Sequence, residues 1–486
     1  MLQPWRAGSS GRKAAGCRRR RGDLAAFGVR EGGRLVGQEI RIHVPEKAEY
    51  ILETLYGAGY EAYVVGGCVR DAILGREPED WDITTSARPE QVKALFPRTV
   101  DTGLQHGTVT VMLGQEGFEV TTYRIDGKYE DSRHPVQVQF TPSLREDLKR
   151  RDLTINAMAY NRHQGLVDSF GGLADIQAGR IRCVGDAGER FGEDALRILR
   201  AIRFSAQLGY GIQEDTAEAI RRLAPALEKI SKERIQAELV KLLCSPHPEV
   251  LRLAYDSGVT KVILPEFDRM METAQNHPHH CYSVGEHTLR ALCFVDPGRI
   301  LRLAVLLHDI GKPDTLEVDG EGITHFHGHA QAGAAMAQNI LERLRFDHDT
   351  IRRVCRLVLF HDYGNSLEPD LKAARRLLHK AGEGIVPDLF AVKRADIMAQ
   401  SGLQRQEKLH RADCWQQLSE KVLEEKQCIS LKDLAVTGKD LLGLGMKPGR
   451  ELGVLLEGLL SLVLEDPSLN TREELLARAR EMLAQT

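Results

Sequence analysis

The chain has 486 residues, with 42% hydrophobic and 28% charged residues. At a typical ~150 residues per domain this length allows about three domains. The ordinary composition excludes a wholly disordered chain, a collagen-like fibre and a disulfide-stapled miniprotein. The nine cysteines are scattered without a CxxC pair, which favours reduced thiols and a cytoplasmic location. Because no run approaches the ~20 apolar residues of a membrane helix, we expect no membrane contact.

Positive charge is concentrated at the N-terminus. The chain has 66 basic and 69 acidic residues, for a net charge of −3, but residues 1–41 alone contain ten Arg and Lys against three acidic residues. This segment shows no hydrophobic period and predicts a basic, disordered extension over residues 1–43. The rest of the chain has a net charge of about −10. RNA binding there would therefore need a local basic groove rather than the overall field.

Hydrophobic patterning after residue 44 predicts a small mixed α/β unit followed by helices. An amphipathic helix is expected first, ended by glycine. The pattern becomes helical from about residue 143 and stays so almost to the end. In chain order, the predicted elements of the first unit are a helix at 45–59, a strand at 62–67, a helix at 69–75, a strand at 80–85, a helix at 88–96 and two strands within 107–124.

Three carboxylates are candidates for one metal-binding face. Asp80 and Asp82 are two residues apart on a predicted strand, so both side chains face the same side. Glu119 lies on another predicted strand and faces away from Phe118 and Val120. Like charges so close repel one another unless divalent cations neutralise them. A DxD pair alone is also common at turns and on solvated strand faces.

The segment GGCVRD (66–71) strengthens this interpretation. A glycine pair between a strand and a helix N-terminus forms an anion site from backbone N–H groups. Arg70 adds a positive charge that suits phosphate. The alternative is a tight turn that simply requires glycine.

Six segments together carry a family resemblance. Each is weak evidence alone, but their order and spacing across 44–270 are specific. They resemble the nucleotidyltransferase family that contains CCA-adding enzymes and bacterial poly(A) polymerases. The segments are GGCVRD, DWD (80–82), RRDLTINAMAY (150–160), DSFGG (168–172), EDALRILRAIRF (193–204) and SKERIQAEL (231–239).

The resemblance implies a reaction and a set of roles. An RNA 3′-hydroxyl would attack the α-phosphate of a nucleoside triphosphate and release pyrophosphate. Asp80 and Asp82 would hold Mg²⁺, with Glu119 as a third catalytic carboxylate. The residues implied to contact the incoming nucleotide are Gly67, Arg70 and Arg151.

A polar stripe follows the predicted helix EDALRILRAIRF, because Asp194, Arg197, Arg200 and Arg203 recur every third residue. A solvated basic face is the plain interpretation. A carboxylate can also accept from an exocyclic amine, and a guanidinium can donate to ring nitrogen and carbonyl acceptors. Cytosine and adenine share an amine beside an acceptor nitrogen. We therefore expect Asp194 and Arg197 to select C and A without a template, as the resemblance also implies, with Arg200 and Arg203 supporting the site or contacting phosphate.

Two sequence features favour full CCA addition to tRNA from CTP and ATP. Residues 124–140 resemble the mobile loop of full CCA-adding enzymes, and residues 97–108 lack the GRRFR-type segment of bacterial poly(A) polymerases. An A-adding enzyme or a poly(A) polymerase remains an alternative. Two alternatives belong to other classes: a phosphohydrolase with an RNA-binding head, and a non-catalytic RNA-binding module.

A second constellation of metal-ligand residue types lies in the helical part. Its order, H…HD…H…H…D, resembles the HD phosphohydrolase domain, in which imidazoles and carboxylates bind metals that activate water. The resemblance implies a divalent metal, of an identity that mixed N/O donors leave open, held by His287, His308, Asp309 and Asp396. His329 and His361 would contact phosphate or a second metal. The remaining clustered histidines are expected at the surface: His277, His279, His280, His325 and His327.

The expected fold class is α+β, with a small mixed head followed by an all-helical neck, body and tail. Lys447 and Arg450 lie before an apolar helix and resemble the tRNA-binding tails of CCA-adding enzymes; a solvated loop is the alternative. The predicted parts after the extension are a nucleotidyltransferase head at 44–150, a neck and body for nucleotide selection and RNA binding at 151–270, an HD domain at 271–410 and a helical tail at 411–486.

Overall fold

The computed structural model describes residues 40–127, 138–364 and 367–484. The chain from Ile42 onward forms one compact unit. The extension predicted over 1–43 lies almost wholly outside the described residues. Most of the predicted loop at 124–140 lies outside them as well.

The described part of the head is built around a mixed sheet. Its helices are α1 (Glu46–Gly57), α2 (Gly67–Ile73), α3 (Pro89–Leu95), α4 (Leu144–Lys149) and α5 (Gly172–Gln177). Its strands are β1 (Ala62–Val65), β2 (Ile83–Thr85), β3 (Thr99–Gly103), β4 (Thr108–Leu113), β5 (Glu116–Thr122), β6 (Arg124–Asp126), β7 (Val138–Phe140), β8 (Ala159–Asn161) and β9 (Gly165–Val167). The sheet order is β3-β4-β5-β2-β1-β8-β9, and β6 pairs with β7 separately.

Within the described ranges, the other regular elements are helices, apart from four two-residue strands. Those strands are β10 (Arg180–Ile181), β11 (Gly211–Ile212), β12 (Glu317–Val318) and β13 (Thr324–His325). The helices are α6 (Ala187–Glu193), α7 (Leu196–Leu208), α8 (Glu214–Leu223), α9 (Lys232–Leu243), α10 (Leu251–Asp256), α11 (Thr260–Ile263), α12 (Pro265–Glu272), α13 (Val284–Leu292), α14 (Arg299–Leu307), α15 (His329–Arg343), α16 (His348–Phe360), α17 (Leu371–Ala381), α18 (Val386–Ala399), α19 (Arg405–Glu424), α20 (Gly438–Leu442), α21 (Arg450–Glu465) and α22 (Arg472–Ala484). The predicted fold class is confirmed.

The centre of the sheet places the predicted carboxylates. β2 lies in the middle, antiparallel to β1 and parallel to β5, with Ile83 opposite Val120. The strand predicted at 80–85 begins only at Ile83, although the Val65 N–H still donates to the carbonyl of Asp82 at 3.0 Å. The acidic pair therefore lies at the end of the sheet where the central strand starts.

The sheet extends further along the chain than the predicted head. β8 pairs with β1 and β9 pairs with β8, so residues 159–167 complete the sheet although the pattern predicted helix from about 143. Strands of three residues are too short to show a clear period of two. β3 was also missed, because this edge strand is polar and largely exposed and Val100 faces solvent.

The helical part is packed around α14. Leu303, Ala304, Val305, Leu306 and Leu307 are all buried, which makes this helix apolar on every side. It contacts α9, α13, α16 and α18. None of the helices in the described ranges is long and apolar enough to cross a membrane.

Candidate functional site

The structure brings Asp80, Asp82 and Glu119 to one end of the sheet. The parallel register of β2 and β5 places Asp82 beside Glu119. Desolvation and the charge of Asp80 raise the pKa of Asp82, while Arg151 opposes them. Desolvation, followed by the charges of Asp82 and Asp80, also raises the pKa of Glu119. The three carboxylates therefore lie close enough to interact electrostatically, as the strand patterns predicted.

An oxygen-only set of mutually repelling carboxylates fits Mg²⁺. The set is nevertheless open. Among the described residues, the groups of three ligand atoms that lie within 4.8 Å of one another occur in the helical part, and these carboxylates do not form one. Mg²⁺ usually uses one or two carboxylates together with substrate phosphates. The open arrangement suits an ion that arrives with a nucleotide.

The glycine turn before α2 lies directly against Arg151. Gly66 has φ 87° and ψ −126°, and a Cβ there would lie 2.9 Å from Nη1 of Arg151. The Nε of Arg151 is buried without a hydrogen-bond partner, and burial lowers its pKa. Asp147 lies 3.8 Å away. A guanidinium with an unused buried donor, beside a helix N-terminus, is suited to bind phosphate.

Substituting Gly66 with alanine tests this arrangement. The backbone conformation at Gly66 should cost an alanine about 1–3 kcal/mol, and the new Cβ should displace Arg151. We expect kcat/KM for nucleotide addition to fall about tenfold or more, together with a lower melting temperature. Gly57→Ala is the control, because nothing lies within 4 Å of its Cβ position. A lower melting temperature with an unchanged KM for nucleotide would exclude this turn from the nucleotide site.

Arg70 is already engaged by protein partners. It donates to both oxygens of Asp71 at 3.0 and 2.6 Å and to Asn156 at 2.5 Å, and it lies 4.8 Å above the ring of Phe204. It therefore joins α2 to α7 and holds the turn that contains Gly67. Its predicted contact with nucleotide stays a prediction. Asn156 was not singled out from the sequence, although it lies within the motif RRDLTINAMAY.

Arg200 and Arg203 make ion pairs with other protein residues and so support the structure around the site. Arg200 donates to Asp152 at 2.6 Å. Burial alone would raise the pKa of Asp152, but the charge and hydrogen bond of Arg200 lower it to about 2. Arg203 is buried, donates to Glu238 and lies 3.8 Å from the ring centre of Phe204. Both arginines thus fix α7 against its neighbours.

Asp194 and Arg197 lie where α6 ends and α7 begins. Asp194 accepts from the backbone N–H of Leu196 at 3.0 Å and from Arg234 at 2.6 and 3.3 Å. Arg197 donates to the Arg150 carbonyl at 3.2 Å. Both side chains are half-buried. Arg234 was missed by sequence reasoning, although the motif SKERIQAEL contains it.

Six residues from five helices converge in the helical part, and we call them the histidine–aspartate centre. They lie in or at the ends of α13, α14, α15, α16 and α18. Their ligand atoms form two groups, each within 4.8 Å. The first group is His287, His308 and Asp396, and the second is Asp309, His329 and His361.

Asp309, a member of the second group, also faces the first. Its Oδ2 is 3.2 Å from Nε2 of His308 and 3.8 Å from Nε2 of His287. Its Oδ1 is 3.7 Å from Nε2 of both His329 and His361. One carboxylate thus faces both groups, as a ligand bridging two cations would.

The histidines are oriented for ligation by their other ring nitrogen. Nδ1 of His308, His329 and His361 each lies 2.7–2.8 Å from the backbone carbonyl three residues earlier, which leaves Nε2 directed at the centre. Nε2 of His287 lies 2.9 Å from Oδ1 of Asp396, and Nε2 of His308 lies 3.2 Å from Oδ2 of Asp309. Buried imidazole nitrogens that converge with carboxylates in this way fit a pair of divalent cations.

The histidine–aspartate centre has further neighbours to which the sequence had assigned no role. Lys312 is buried, lies 2.8 Å from Oδ2 of Asp309 and donates to Gln275 at 3.0 Å. The motif HDIGK already contained this lysine. The five histidines expected at the surface line the cleft over the centre: His327 is exposed, and His280 is half-buried, with its ring centre 5.5 Å from that of His287. Burial lowers the pKa of His280 to about 3.

Comparison with known proteins identifies the family of this chain. Family models match as the poly A polymerase head domain at 62–182, a probable RNA and SrmB-binding site of polymerase A at 209–271, and a putative tRNA nucleotidyltransferase domain 2 at 315–479. The crystal structure of the Bacillus stearothermophilus CCA-adding enzyme in complex with CTP is 30% identical, with a TM-score of 0.68; the match covers 91% of this chain and 99% of that one. The chain belongs to the CCA-adding enzyme family.

Other members of the family match less of the chain or at lower identity. Curated CCA-adding enzymes of Lactiplantibacillus plantarum and Lactobacillus helveticus are 54% and 47% identical over 46% and 49% of this chain. Those matches span 54% and 59% of the relatives, which is little more than half their length. The Thermotoga maritima CCA-adding enzyme complexed with tRNA has the same fold, at 21% identity over 92% of this chain and all of that one, with a TM-score of 0.58.

The family's third model includes the predicted tRNA-binding positions of the tail. Arg450 is the first residue of α21 and Lys447 precedes it by three residues, and both are exposed. Their side chains therefore project into solvent at a helix N-terminus, where phosphate is favoured. Their part in tRNA binding stays a prediction.

Proposed function

We propose that this chain adds C, C and A to the 3′ end of tRNA, using CTP and ATP and releasing pyrophosphate. The observation that carries the proposal is the convergence of Asp80, Asp82 and Glu119 beside the glycine turn and Arg151. Membership of the CCA-adding enzyme family supports it, as does the CTP complex of the Bacillus stearothermophilus relative.

Each part of the head site has a task in this reaction. The backbone N–H groups at the start of α2 and the guanidinium of Arg151 would bind the triphosphate. Asp80, Asp82 and Glu119 would hold Mg²⁺, which when bound neutralises charge on the phosphates and lowers the pKa of the attacking hydroxyl. The 3′-hydroxyl would lose its proton to solvent, and its oxygen would form the new bond to the α-phosphorus while the bond to pyrophosphate breaks.

Base selection is assigned to Asp194 and Arg197. A carboxylate acceptor and a guanidinium donor match the amine and the acceptor nitrogen that cytosine and adenine share. The partners Arg234 and Arg150 hold the two side chains at the α6–α7 junction. Selection by protein side chains would require no nucleic-acid template.

Arg197→Ala should relax base selection. Without the guanidinium donor, we expect the preference for CTP over UTP to fall about tenfold or more, measured from kcat/KM with each nucleotide singly. Arg221→Ala is a matched control, since Arg221 is exposed on α8 and pairs with Glu214. An equal loss of activity with all four nucleotides would instead assign Arg197 a structural role.

An extension assay tests the whole proposal and separates its alternatives. One tRNA would end before CCA and another would end in CC, and products would be resolved by length with each nucleotide singly and mixed. Three additions to the first tRNA and one A on the second are expected. A addition only to the CC-ended tRNA would identify an A-adding enzyme, and long A tails would identify a poly(A) polymerase. No addition by folded protein would overturn the proposal.

We also propose a metal-dependent phosphohydrolase activity at the histidine–aspartate centre. Its support is the position of Asp309, which belongs to one ligand group and faces the other, together with the convergence of the buried Nε2 atoms of His287 and His308 on carboxylate oxygens. Divalent cations bound there would supply an activated water. Lys312, beside Asp309, is placed to pair with a phosphate oxygen.

The proposed substrate is a 3′-terminal or 2′,3′-cyclic phosphate on RNA, which would block nucleotide addition. Water would attack the phosphorus, the ester oxygen would leave with a proton, and a terminal ester would yield inorganic phosphate and a free 3′-hydroxyl. The test is release of phosphate from RNA with a 3′-phosphate in the presence of Mn²⁺, Ni²⁺ or Mg²⁺. Release that is equal with and without metal would overturn it.

A further inference from the structure

A long cleft opens over the histidine–aspartate centre. Its volume is about 1620 Å³, above the roughly 300–1,000 Å³ typical of pockets that hold small molecules. One wall is a single face of α19, whose lining residues recur at intervals of three and four from Glu407 to Lys421. At 1.5 Å per residue this face is about 21 Å long. A mononucleotide would fill only part of the cleft.

The N-terminal end of α19 is tied to the first ligand group. Lys408 donates to Oε1 of Gln400 at 2.6 Å. Gln400 in turn donates to both carboxylate oxygens of Asp396, at 3.2 and 3.0 Å. This end of the wall therefore lies beside the proposed reacting phosphate.

The middle of α19 is tied to the second ligand group. The indole of Trp415 packs against Gly364, where a Cβ would lie 2.7 Å from the ring, and the left-handed φ of 83° also favours glycine there. The Tyr363 and Trp415 rings meet edge to face, with centres 5.7 Å apart. Gly364 follows His361 by three residues. The helix is thus a fixed wall of the centre.

Cations continue along the cleft beyond the centre. Arg411 donates to Glu368, but its Nε is buried without a hydrogen-bond partner. Lys421 is exposed near the far end of the helix. Outside the centre, the acidic lining residues are Asp362, Glu368 and Glu407, and the cations are Lys312, Lys380, Lys393, Lys408, Arg411 and Lys421. A groove with cations spaced along it is how proteins follow a single-stranded backbone.

We infer that this cleft binds a single-stranded polynucleotide, with its 3′ end at the histidine–aspartate centre and its backbone along α19. The site would span about four nucleotides or more. The position of the reacting end rests on the proposed phosphohydrolase function, whereas strand binding along α19 can be measured without it. Arg411 and Lys421, which are about 15 Å apart along the helix axis, are then contacts to two separate phosphates of the strand.

The test compares the lengths of 3′-phosphorylated oligoribonucleotides, from one to eight nucleotides, with the full chain and Mn²⁺. We expect kcat/KM for phosphate release to rise about tenfold or more with length and then to level off. Lys421→Ala should raise KM about threefold or more for the long substrates and leave the mononucleotide unaffected. Lys432→Ala, an exposed lysine outside the cleft, should change neither.

Equal kcat/KM at all lengths, or an equal loss at all lengths in Lys421→Ala, would overturn the inference. If no substrate releases phosphate, the phosphohydrolase proposal fails and the cleft is judged by cross-linking. An eight-nucleotide RNA with a 3′-phosphate and 4-thiouridine would be irradiated with the protein. Cross-links to peptides covering residues 404–421 would support strand binding, and cross-links confined to the head, or none, would overturn it.

Discussion

Asp82→Ala is expected to reduce nucleotide incorporation about 10³-fold or more. Asp82 directly precedes β2, beside Glu119, and its carboxylate is coupled to Asp80 and Arg151. Removing it takes away an oxygen ligand on which the proposed Mg²⁺ site depends. The measurement is single-turnover addition of CMP to a tRNA that ends before CCA, at saturating magnesium.

The melting temperature of an Asp82 variant should not fall together with its activity. Desolvation and the charge of Asp80 raise the pKa of Asp82. The ionised Asp82 carboxylate is therefore less favourable in the folded chain than in the unfolded chain, and it lowers the free energy of unfolding at pH 7. Asp82→Asn should therefore leave the melting temperature unchanged or raise it at pH 7, while activity is lost. A residue that only supported the fold would lose stability and activity together.

Two controls make this result specific. Asp101→Ala removes an exposed carboxylate on β3 that pairs with Lys93 at 2.9 Å, and it should leave incorporation unchanged. Phosphate release at the histidine–aspartate centre should also survive in Asp82→Ala. An Asp82→Ala protein that keeps more than about a tenth of the wild-type incorporation rate would exclude Asp82 as a required ligand.

Local sequence patterns predicted much of the head, but a strand that forms only by pairing with a distant part of the chain was missed. The order of helix, strand, glycine turn and helix was readable because glycine, proline and alternating residues mark each boundary. β8 escaped prediction because its three residues become a strand only by pairing with β1, with Ala159 opposite Val65. The acidic pair was predicted within a strand but precedes it, since the pairing of β2 with β1 begins only at Ile83.

In the candidate sites, too, the residues could be predicted from the sequence, but their long-range contacts could not. The resemblance to the HD domain implied all six members of the histidine–aspartate centre, but their separation into two groups, with Asp309 facing both, depends on how five helices pack. The pair of Asp194 with Arg234 likewise joins distant parts of the chain. The five neighbouring histidines could not be placed from composition alone, because only the folded chain shows that they line the cleft.

Asp309→Ala should have the largest effect on the histidine–aspartate centre, because this carboxylate faces both ligand groups. We expect the wild-type chain to bind two equivalents of Mn²⁺ at the centre and His361→Ala to bind about one. Asp309→Ala should lose both and reduce phosphate release about 10³-fold or more. The readout is metal content by plasma mass spectrometry after dialysis, in a background that carries Asp82→Ala so that the head site does not contribute.

A second variant separates ligation from folding. Asp309 also neutralises the buried Lys312 at 2.8 Å, and an unpaired buried charge destabilises a fold by about 3–5 kcal/mol. Asp309→Ala combined with Lys312→Met removes both charges and should restore the melting temperature without restoring metal. Asp314→Ala, an exposed carboxylate that pairs with Arg269, is the control. If the double variant still bound two equivalents of Mn²⁺, Asp309 would have no part in holding metal, and the phosphohydrolase proposal would fail with it.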